Sequence, residues 1–233
     1  MKKIKFKVAS PNSILVTFCN KISQKCSQRV QRAFYLLKQE LDIIDIVISY
    51  SSLMVTFNLL KYSHKEVKEQ ILKALKSIDK VVLESSSKTI EIPALYCKEV
   101  GIDLERIATL NALTIKEVIE IHSQKEYFVY TIGFLPGFAY MGDVSSKIAT
   151  PRLSSPRVNV AKGSVAIANK QCAIYPKDSA GGWNIVAKTP IEMVSQSYNN
   201  FSLLQIGYYV KFIPIDKAEF INLGGKLWAV LRL

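Results

Sequence analysis

Glycine is absent from the first hundred residues of this 233-residue chain, and histidine occurs only twice. Long apolar runs are also missing, since DIIDIVISY and SSLMVTFNLL fall far short of the roughly 18 residues of a membrane-spanning helix. The basic N-terminus MKKIKFKVAS alternates lysine with apolar residues and leads into no apolar segment typical of a secretory signal. We therefore expect a globular protein of the cytoplasm, without a membrane segment.

Cysteine is sparse and scattered. The four residues Cys19, Cys26, Cys97 and Cys172 contain no C-x-x-C pair, and the two histidines lie far from them in sequence. Such spacing supports neither a zinc site nor a disulfide framework, so we expect no metal site.

The net charge of +12 raises the possibility of a nucleic-acid partner. The lysines, however, are mostly spread singly, which favours a solvated basic surface. The segment DLERIATLNALTIKEVIEIH has the outline of a helix-turn-helix, with Thr114 and Glu117 forming a capping box. Its second helix would expose Glu117 and Glu120, which repel phosphates, so nucleic-acid binding is disfavoured.

The first part of the chain, residues 1–87, has the pattern of a small α+β domain. Strand-like IKFKVA and SILVTF are followed by an amphipathic helix from about Gln24 to Leu41. Strands IVISY and LMVTF then precede a second helix, which Ser63 and Glu66 cap. The order ββαββα predicts an antiparallel sheet with both helices on one face.

The second part, residues 88–233, follows the polar segment ESSSKT, which we interpret as a linker. Six of the ten glycines and five of the eight prolines lie between Thr131 and Pro190, separated by short β-branched runs such as GSVAIA. This pattern predicts a β-barrel or a β-sandwich with many tight turns.

The glycine-rich loop GFLPGFAYMG, Gly133 to Gly142, is one candidate for a binding surface. It combines Phe134, Pro136, Gly137 and Tyr140 in one short reversal. His122 precedes it in sequence, at the end of a helical apolar stripe. A histidine there is more often a packed, hydrogen-bonded core group, and the functional alternative is that it points toward the loop.

A basic segment follows, with seven lysines and arginines and one acid between Val144 and Pro190. Arg152 and Arg157 each come directly after a proline, so both extend from a stiff backbone and suit a carboxylate or phosphate. The equally weighted alternative is that they cap barrel carbonyls or pair with acids of the first domain.

A second aromatic turn lies in KDSAGGWNIV. Gly181 and Gly182 allow close backbone approach directly before the wide apolar face of Trp183. A turn packed on a core tryptophan is no less expected than a ligand-binding wall.

Four ordered motifs carry a resemblance to a known family. YTIGFLPGFAYMG, ATPRLSSPRVNVAKGSVAIA, IYPKDSAGGWNIVAKTP and LLQIGYYVKFIPI are similar to the family of the bacterial 5-oxoprolinase B-subunit, the sporulation kinase inhibitor KipI and allophanate hydrolase subunit 1. The resemblance implies an α+β domain followed by a cyclophilin-like β-barrel.

The resemblance also implies a function and partners. It implies the B-subunit of an ATP-dependent 5-oxoprolinase, which opens 5-oxo-L-proline to L-glutamate. The implied partners are the carboxyltransferase-like C-subunit of 5-oxoprolinase, similar to KipA, and its A-subunit. The alternatives are a KipI-like inhibitor of a sensor histidine kinase and a subunit related to allophanate hydrolase or urea carboxylase.

The implied site gathers residues from all these motifs. Catalytic roles are expected for His122, Arg152 and Arg157. Ligand-binding roles are expected for Phe134, Pro136, Gly137, Tyr140, Lys162, Tyr175, Gly181, Gly182, Trp183 and Lys188. Lys188 stands where the family pattern has an arginine, and a lysine lacks the bidentate fork.

Overall fold

The computed structural model describes residues 4–83, 88–198 and 201–227. The chain divides into two compact units, Met1–Ser86 and Ser87–Leu233. Among the described residues, no helix has the length and apolar character needed to span a membrane.

The N-terminal unit is a four-stranded antiparallel sheet with two helices. Its elements are β1 (Lys5–Ser10), β2 (Ser13–Thr17), α1 (Gln24–Glu40), β3 (Asp45–Ile48), β4 (Ser52–Thr56), α2 (His64–Ala74) and a 3-10 helix (Leu75–Lys80). The strand order is β1-β2-β4-β3. This arrangement confirms the predicted order ββαββα.

Alternation along the strands explains why both helices pack on one face of this sheet. Ile14 and Val16 of β2 and Leu53 and Val55 of β4 are buried and share one hydrophobic cluster with helix residues. The helical members are Val30, Ala33, Leu36 and Leu37 of α1 and Val67, Ile71 and Ala74 of α2. Helix α2 begins with the expected capping box of Ser63 and Glu66.

The expectation that the cysteines form no disulfide is wrong for one pair. Cys19 and Cys26 are bridged, with Cα atoms 6.2 Å apart. The bridge joins the segment after β2 to the first turn of α1. The spacing of the cysteines in the sequence did not reveal this bridge, because they are brought together by the turn between β2 and α1, which only the folded structure shows.

The C-terminal unit is built around a closed barrel. Its strands are β5 (Thr89–Leu95), β6 (Glu126–Ile132), β7 (Ala139–Gly142), β8 (Arg157–Val160), β9 (Ser164–Ala168), β10 (Gln171–Ile174), β11 (Ser179–Gly181), β12 (Asn184–Lys188) and β13 (Tyr209–Ile215). The barrel order is β10-β7-β6-β13-β5-β12-β9, while β8 and β11 form a separate two-stranded sheet. Strands β5 and β13 pair in parallel. The predicted fold class, an α+β domain followed by a mainly β barrel, is confirmed.

In the described part of this unit, three helices accompany the barrel: α3 (Leu104–Leu110), α4 (Ile115–Ser123) and α5 (Lys217–Asn222). Helix α4 starts with the predicted capping box, in which Thr114 and Glu117 satisfy each other's backbone donors. Its buried positions, Val118 and His122, face the barrel core.

Strand β9 is buried on both faces, and this burial creates a second apolar layer. Val165 and Ile167 belong to the main barrel core. The alternating residues Ala166 and Ala168 belong instead to a cluster with Phe138, Tyr175, Trp183 and Ile185. Small alanine side chains leave room for large rings on this side of the strand, so the aromatic residues collect there.

Candidate functional site

Five aromatic side chains, Phe134, Phe138, Tyr140, Tyr175 and Trp183, form a layer that we call the aromatic layer. The ring of Phe138 is central, with centroids 4.9 Å from Tyr140, 5.3 Å from Tyr175 and 5.8 Å from Trp183. Phe134 packs edge-on against Phe138 at 5.3 Å. These are edge-to-face contacts of the kind aromatic rings prefer. The layer joins two motifs, GFLPGFAYMG and KDSAGGWNIV.

The loop before β7 splits its two phenylalanines between solvent and core. The Phe138 amide donates to the Leu135 carbonyl at 3.0 Å, which closes a tight turn. Phe134 has a φ of +69° and is 62% exposed, whereas Phe138 is buried. Gly137 has a φ of +78°, and a Cβ there would lie 2.3 Å from Cγ2 of Val194. The loop thus requires glycine at this point, and it presents Phe134 outward.

Arg152 covers the indole of Trp183. Its guanidinium carbon lies 5.4 Å from the ring centroid, within cation–π range. Arg152 is exposed, while Trp183 is 4% exposed. No carboxylate of the described residues forms an ion pair with Arg152. Its hydrogen-bond donors therefore remain open to an anionic ligand.

Arg157 is engaged in the fold itself. It donates to Oδ1 of Asp103 at 2.7 Å and to the Trp183 carbonyl at 3.4 Å. These two contacts agree with the alternative in which the arginines pair with an acid or cap carbonyls. That alternative placed the acid in the first domain, whereas Asp103 lies in the C-terminal unit. Arg157 therefore helps to hold the turn that carries Trp183.

Asp103 is a site residue that the sequence did not single out. Its second oxygen accepts from the Ile185 amide at 2.7 Å, and its own amide donates to the Ile185 carbonyl at 3.0 Å. The side chain makes no capping bond to α3, although Asp103 occupies the N-cap position. An aspartate at the start of a helix is ordinarily read as an N-cap. For this reason the sequence did not indicate that Asp103 contacts Arg157.

Further hydrogen bonds hold the Pro-Arg segment against the barrel. Nδ2 of Asn184 donates to the Pro151 carbonyl at 2.9 Å, and Nε of Arg106 donates to Oδ1 of Asn184 at 3.1 Å. The Leu153 amide donates to the Gly182 carbonyl at 2.8 Å. The backbone from which Arg152 extends is thus fixed on both sides.

Gly181 and Gly182 differ in what they require. A Cβ at Gly181 would lie 2.1 Å from the hydroxyl oxygen of Tyr175, whereas one at Gly182 would meet Cα of Pro156 at 3.6 Å, an ordinary contact. Burial raises the pKa of Tyr175, against the opposing effects of the Trp183 backbone and of Arg152 and Arg157. Tyr175 thus remains a neutral phenol beneath the glycine turn.

His122 lies in the barrel core and outside the aromatic layer. Its Nδ1 is 2.8 Å from the Tyr96 hydroxyl, and its Nε2 is 3.5 Å from Sγ of Cys172. The ring also packs against Tyr127 and Phe212. Complete burial lowers the pKa of His122 to about 3. The catalytic role of His122 stays a prediction, and its burial favours the packed, hydrogen-bonded alternative.

Lys162 and Lys188 line a pocket of about 360 Å³ in another part of the C-terminal unit. Lys188 is the last residue of β12 and comes five residues after Trp183. At a strand rise of about 3.3 Å per residue, the two residues are about 16 Å apart. The structure therefore brings together the aromatic residues, the glycines and both arginines, but not the two lysines or His122. Among the described residues, no group of three His, Cys, Asp or Glu side chains could hold a metal ion.

The fold and the site define an α+β protein whose barrel carries an arginine-stacked aromatic layer. Residues 4–204 match the carboxyltransferase domain, subdomain C and D. The chain belongs to this family, which confirms the resemblance drawn from its motifs.

Individual relatives extend this finding. The chain is 33% identical over 221 residues to the 5-oxoprolinase B-subunit of Bacillus subtilis (strain 168), covering 90% of this chain and 92% of that protein. The solved structure of TTHA0988 matches with a TM-score of 0.75 and 26% identity, over 88% of this chain and 40% of that chain. Urea amidolyase of K. lactis matches with a TM-score of 0.77 and 17% identity, over 94% of this chain and 15% of that one, a likeness of fold alone.

Proposed function

We propose that this chain is the B-subunit of an ATP-dependent 5-oxoprolinase complex of the cytoplasm, which converts 5-oxo-L-proline to L-glutamate. The similarity to a 5-oxoprolinase B-subunit over nearly its whole length supports this assignment. The observation that carries the site is Arg152, an exposed guanidinium lying over a buried indole without an ion-pair partner among the described residues.

Opening of the 5-oxoproline ring with ATP requires a cationic group such as this guanidinium. A lactam is a poor electrophile, and transfer of the γ-phosphoryl group of ATP to its carbonyl oxygen activates the carbon toward water. A first water adds to this carbon and the ring C–N bond breaks as the nitrogen takes up a proton, which leaves an acyl phosphate. A second water then hydrolyses the acyl phosphate to the γ-carboxylate of glutamate and free phosphate. Negative charge develops on oxygen in these steps, and a positioned guanidinium stabilises it. We assign this role to Arg152, with the aromatic layer forming an apolar wall for the ring.

The same geometry explains why the chain would need partners. In the C-terminal unit, His122 is buried in the barrel core. The carboxylate of Asp103 is occupied by Arg157 and the Ile185 amide. We therefore infer that a partner chain contributes to proton transfer. We propose the carboxyltransferase-like C-subunit of 5-oxoprolinase, similar to KipA, together with its A-subunit, as those partners, and ATP as the substrate that they share.

The test is co-expression with these two partners, followed by an assay of glutamate formed from 5-oxoproline and ATP. Replacement Arg152→Met should lower kcat by roughly 100-fold or more, as loss of one oxyanion-stabilising donor does. Arg29→Met is the matched control, since Arg29 also stacks on a ring, that of Phe18, but in the N-terminal unit.

Two results would contradict the proposal separately. An intact three-subunit complex that forms no glutamate from 5-oxoproline would refute the function, and ATP hydrolysis driven by urea and bicarbonate instead would favour the relatives that process urea. Full activity of the Arg152→Met complex would leave the function standing but remove Arg152 from the site.

A second function, inhibition of a sensor histidine kinase by docking, is favoured by one observation. Phe134 is 62% exposed at the tip of its loop, as an anchor residue would be. Purified kinase should then lose autophosphorylation in the presence of this chain and regain it with Phe134→Ser. Undiminished autophosphorylation at saturating concentrations of the chain would exclude this function.

A further inference from the structure

Lys188 lies in a concave pocket of the C-terminal unit. Its volume of about 360 Å³ falls in the range of small-molecule sites, roughly 300–1,000 Å³. The end of β12, the turn before β9 and the segment after α5 surround it. Lys188 lies about 16 Å from Trp183 at the other end of β12, while pocket-lining Gly163 donates to the backbone carbonyl of Tyr175 at 2.8 Å.

Lys188 supplies the buried polar group of this pocket. Its residue surface is 7% exposed, and its ammonium donates to the Lys226 carbonyl at 2.9 Å. No carboxylate of the described residues forms an ion pair with it. An ammonium has three donors, and a buried charge is stabilised when it gains an opposite charge. The group is thus suited to receive a carboxylate.

The remaining charged side chains of the pocket are all more exposed than Lys188: Lys162, Lys226, Asp178 and Glu192. Lys162 pairs with Glu192 at 2.5 Å, and both side chains are about half exposed. One oxygen of Asp178 accepts from the Lys162 amide at 2.7 Å, and this residue is exposed. The two carboxylates give the mouth of the pocket acceptors for an N–H group, while Pro190 and Phe220 add apolar surface.

We propose that this pocket binds a small zwitterionic amino acid, with its carboxylate on Lys188 and its ammonium group between Asp178 and Glu192. The assignment goes beyond the proposed function, because it concerns a different place on the chain and needs no partner protein. Burial lowers the pKa of Lys188, with Asp178 opposing that effect, and a bound carboxylate would further favour the charged ammonium.

Three probes of equal chain length separate the two ends of the ligand: 4-aminobutyrate has both groups, butyrate only the carboxylate, and butylamine only the ammonium. The experiment titrates each into the full chain, alone, by calorimetry and by amide shifts of Gly163 and Thr189, which line the pocket. We expect 4-aminobutyrate to bind at least 5-fold more tightly than butyrate, and butylamine to cause no shift.

Lys188→Met, which keeps an unbranched side chain one heavy atom shorter than lysine, should weaken 4-aminobutyrate binding at least 10-fold. Lys170→Met, an exposed lysine outside the pocket, is the matched control and should bind as the wild type does. Asp178→Asn retains an oxygen for the Lys162 amide and should reduce the preference for 4-aminobutyrate over butyrate, so it tests the proposal even if Lys188→Met does not fold.

Each contrary outcome overturns a stated part of the proposal. Absence of binding by 4-aminobutyrate and butyrate, or unchanged binding in a folded Lys188→Met variant, would remove Lys188 as the carboxylate site. Equal affinity for 4-aminobutyrate and butyrate would remove the ammonium site at Asp178 and Glu192. None of these results depends on 5-oxoproline turnover, so the proposed function stands or falls separately.

Discussion

The burial of His122 predicts how the stability of the protein depends on pH. Its pKa is about 3 in the folded chain, against an ordinary value of 6.5, because burial disfavours the charged imidazolium. The unfolded chain therefore takes up a proton as pH falls below 6.5, while the folded chain does not. Stability from the neutral ring is fully present above pH 6.5 and is lost progressively down to about pH 3.

The size of this loss follows from the pKa difference. At about 1.4 kcal/mol per pKa unit, the full effect is about 5 kcal/mol, and about 2 kcal/mol of it is lost between pH 6.5 and pH 5. The variant His122→Gln keeps a polar group near Tyr96 but cannot titrate. Its free energy of unfolding should therefore fall less between pH 7 and pH 5 than that of the wild type, by about 2 kcal/mol.

The assay is urea denaturation of both proteins at the two pH values. His64 and all carboxylates are common to both, so their contributions cancel in the difference. In parallel, the NMR signal of the His122 ring should not move between pH 8 and pH 5. Titration of this ring near pH 6.5, or an equal loss of stability in both proteins, would refute the argument and restore His122 as an acid–base candidate.

Two further predictions concern the framework of the aromatic layer. The effects of Asp103→Asn and Arg157→Met on the free energy of unfolding should be strongly non-additive, with a coupling free energy of about 1–3 kcal/mol by denaturation, because each substitution leaves the other partner without its 2.7 Å contact. Additive effects would exclude a structural pair. Gly181→Ala should destabilise the chain by about 1–3 kcal/mol because its Cβ would meet the Tyr175 hydroxyl, and Tyr175→Phe should recover part of that loss; equal stability of the Gly181→Ala protein would count against the close contact.

The sequence predicted best those features that depend on neighbours in the chain. The capping boxes at Ser63 and Thr114 each involve residues three apart, and the buried stripe of α2 follows a helical period. Both signals are local, so no knowledge of the tertiary fold is needed to recognise them. The predicted elements of the N-terminal unit agree with the structure for this reason.

Contacts between segments that are distant in the chain could not be predicted from the sequence. Strands β5 and β13 pair in parallel although more than a hundred residues separate them, and nothing in either strand specifies that partner. The same holds for Asp103 and Arg157, which are 54 residues apart. Both arginines were recognised as candidates from their prolines, but only the tertiary fold distinguishes the stacked Arg152 from the paired Arg157.

The separation of Lys188 from Arg152 follows from the rigidity of β12. Trp183 precedes this strand and Lys188 ends it, and every residue between them is buried. The Ile185 amide is further held by Asp103. Bending the strand to bring both ends together would break buried hydrogen bonds, each of which costs about 1–3 kcal/mol when left unsatisfied. A ligand as short as 5-oxoproline, a single five-membered ring with one carboxylate, would therefore reach one end of β12 or the other, and the two proposals accordingly assign residues of one sequence motif to two different sites.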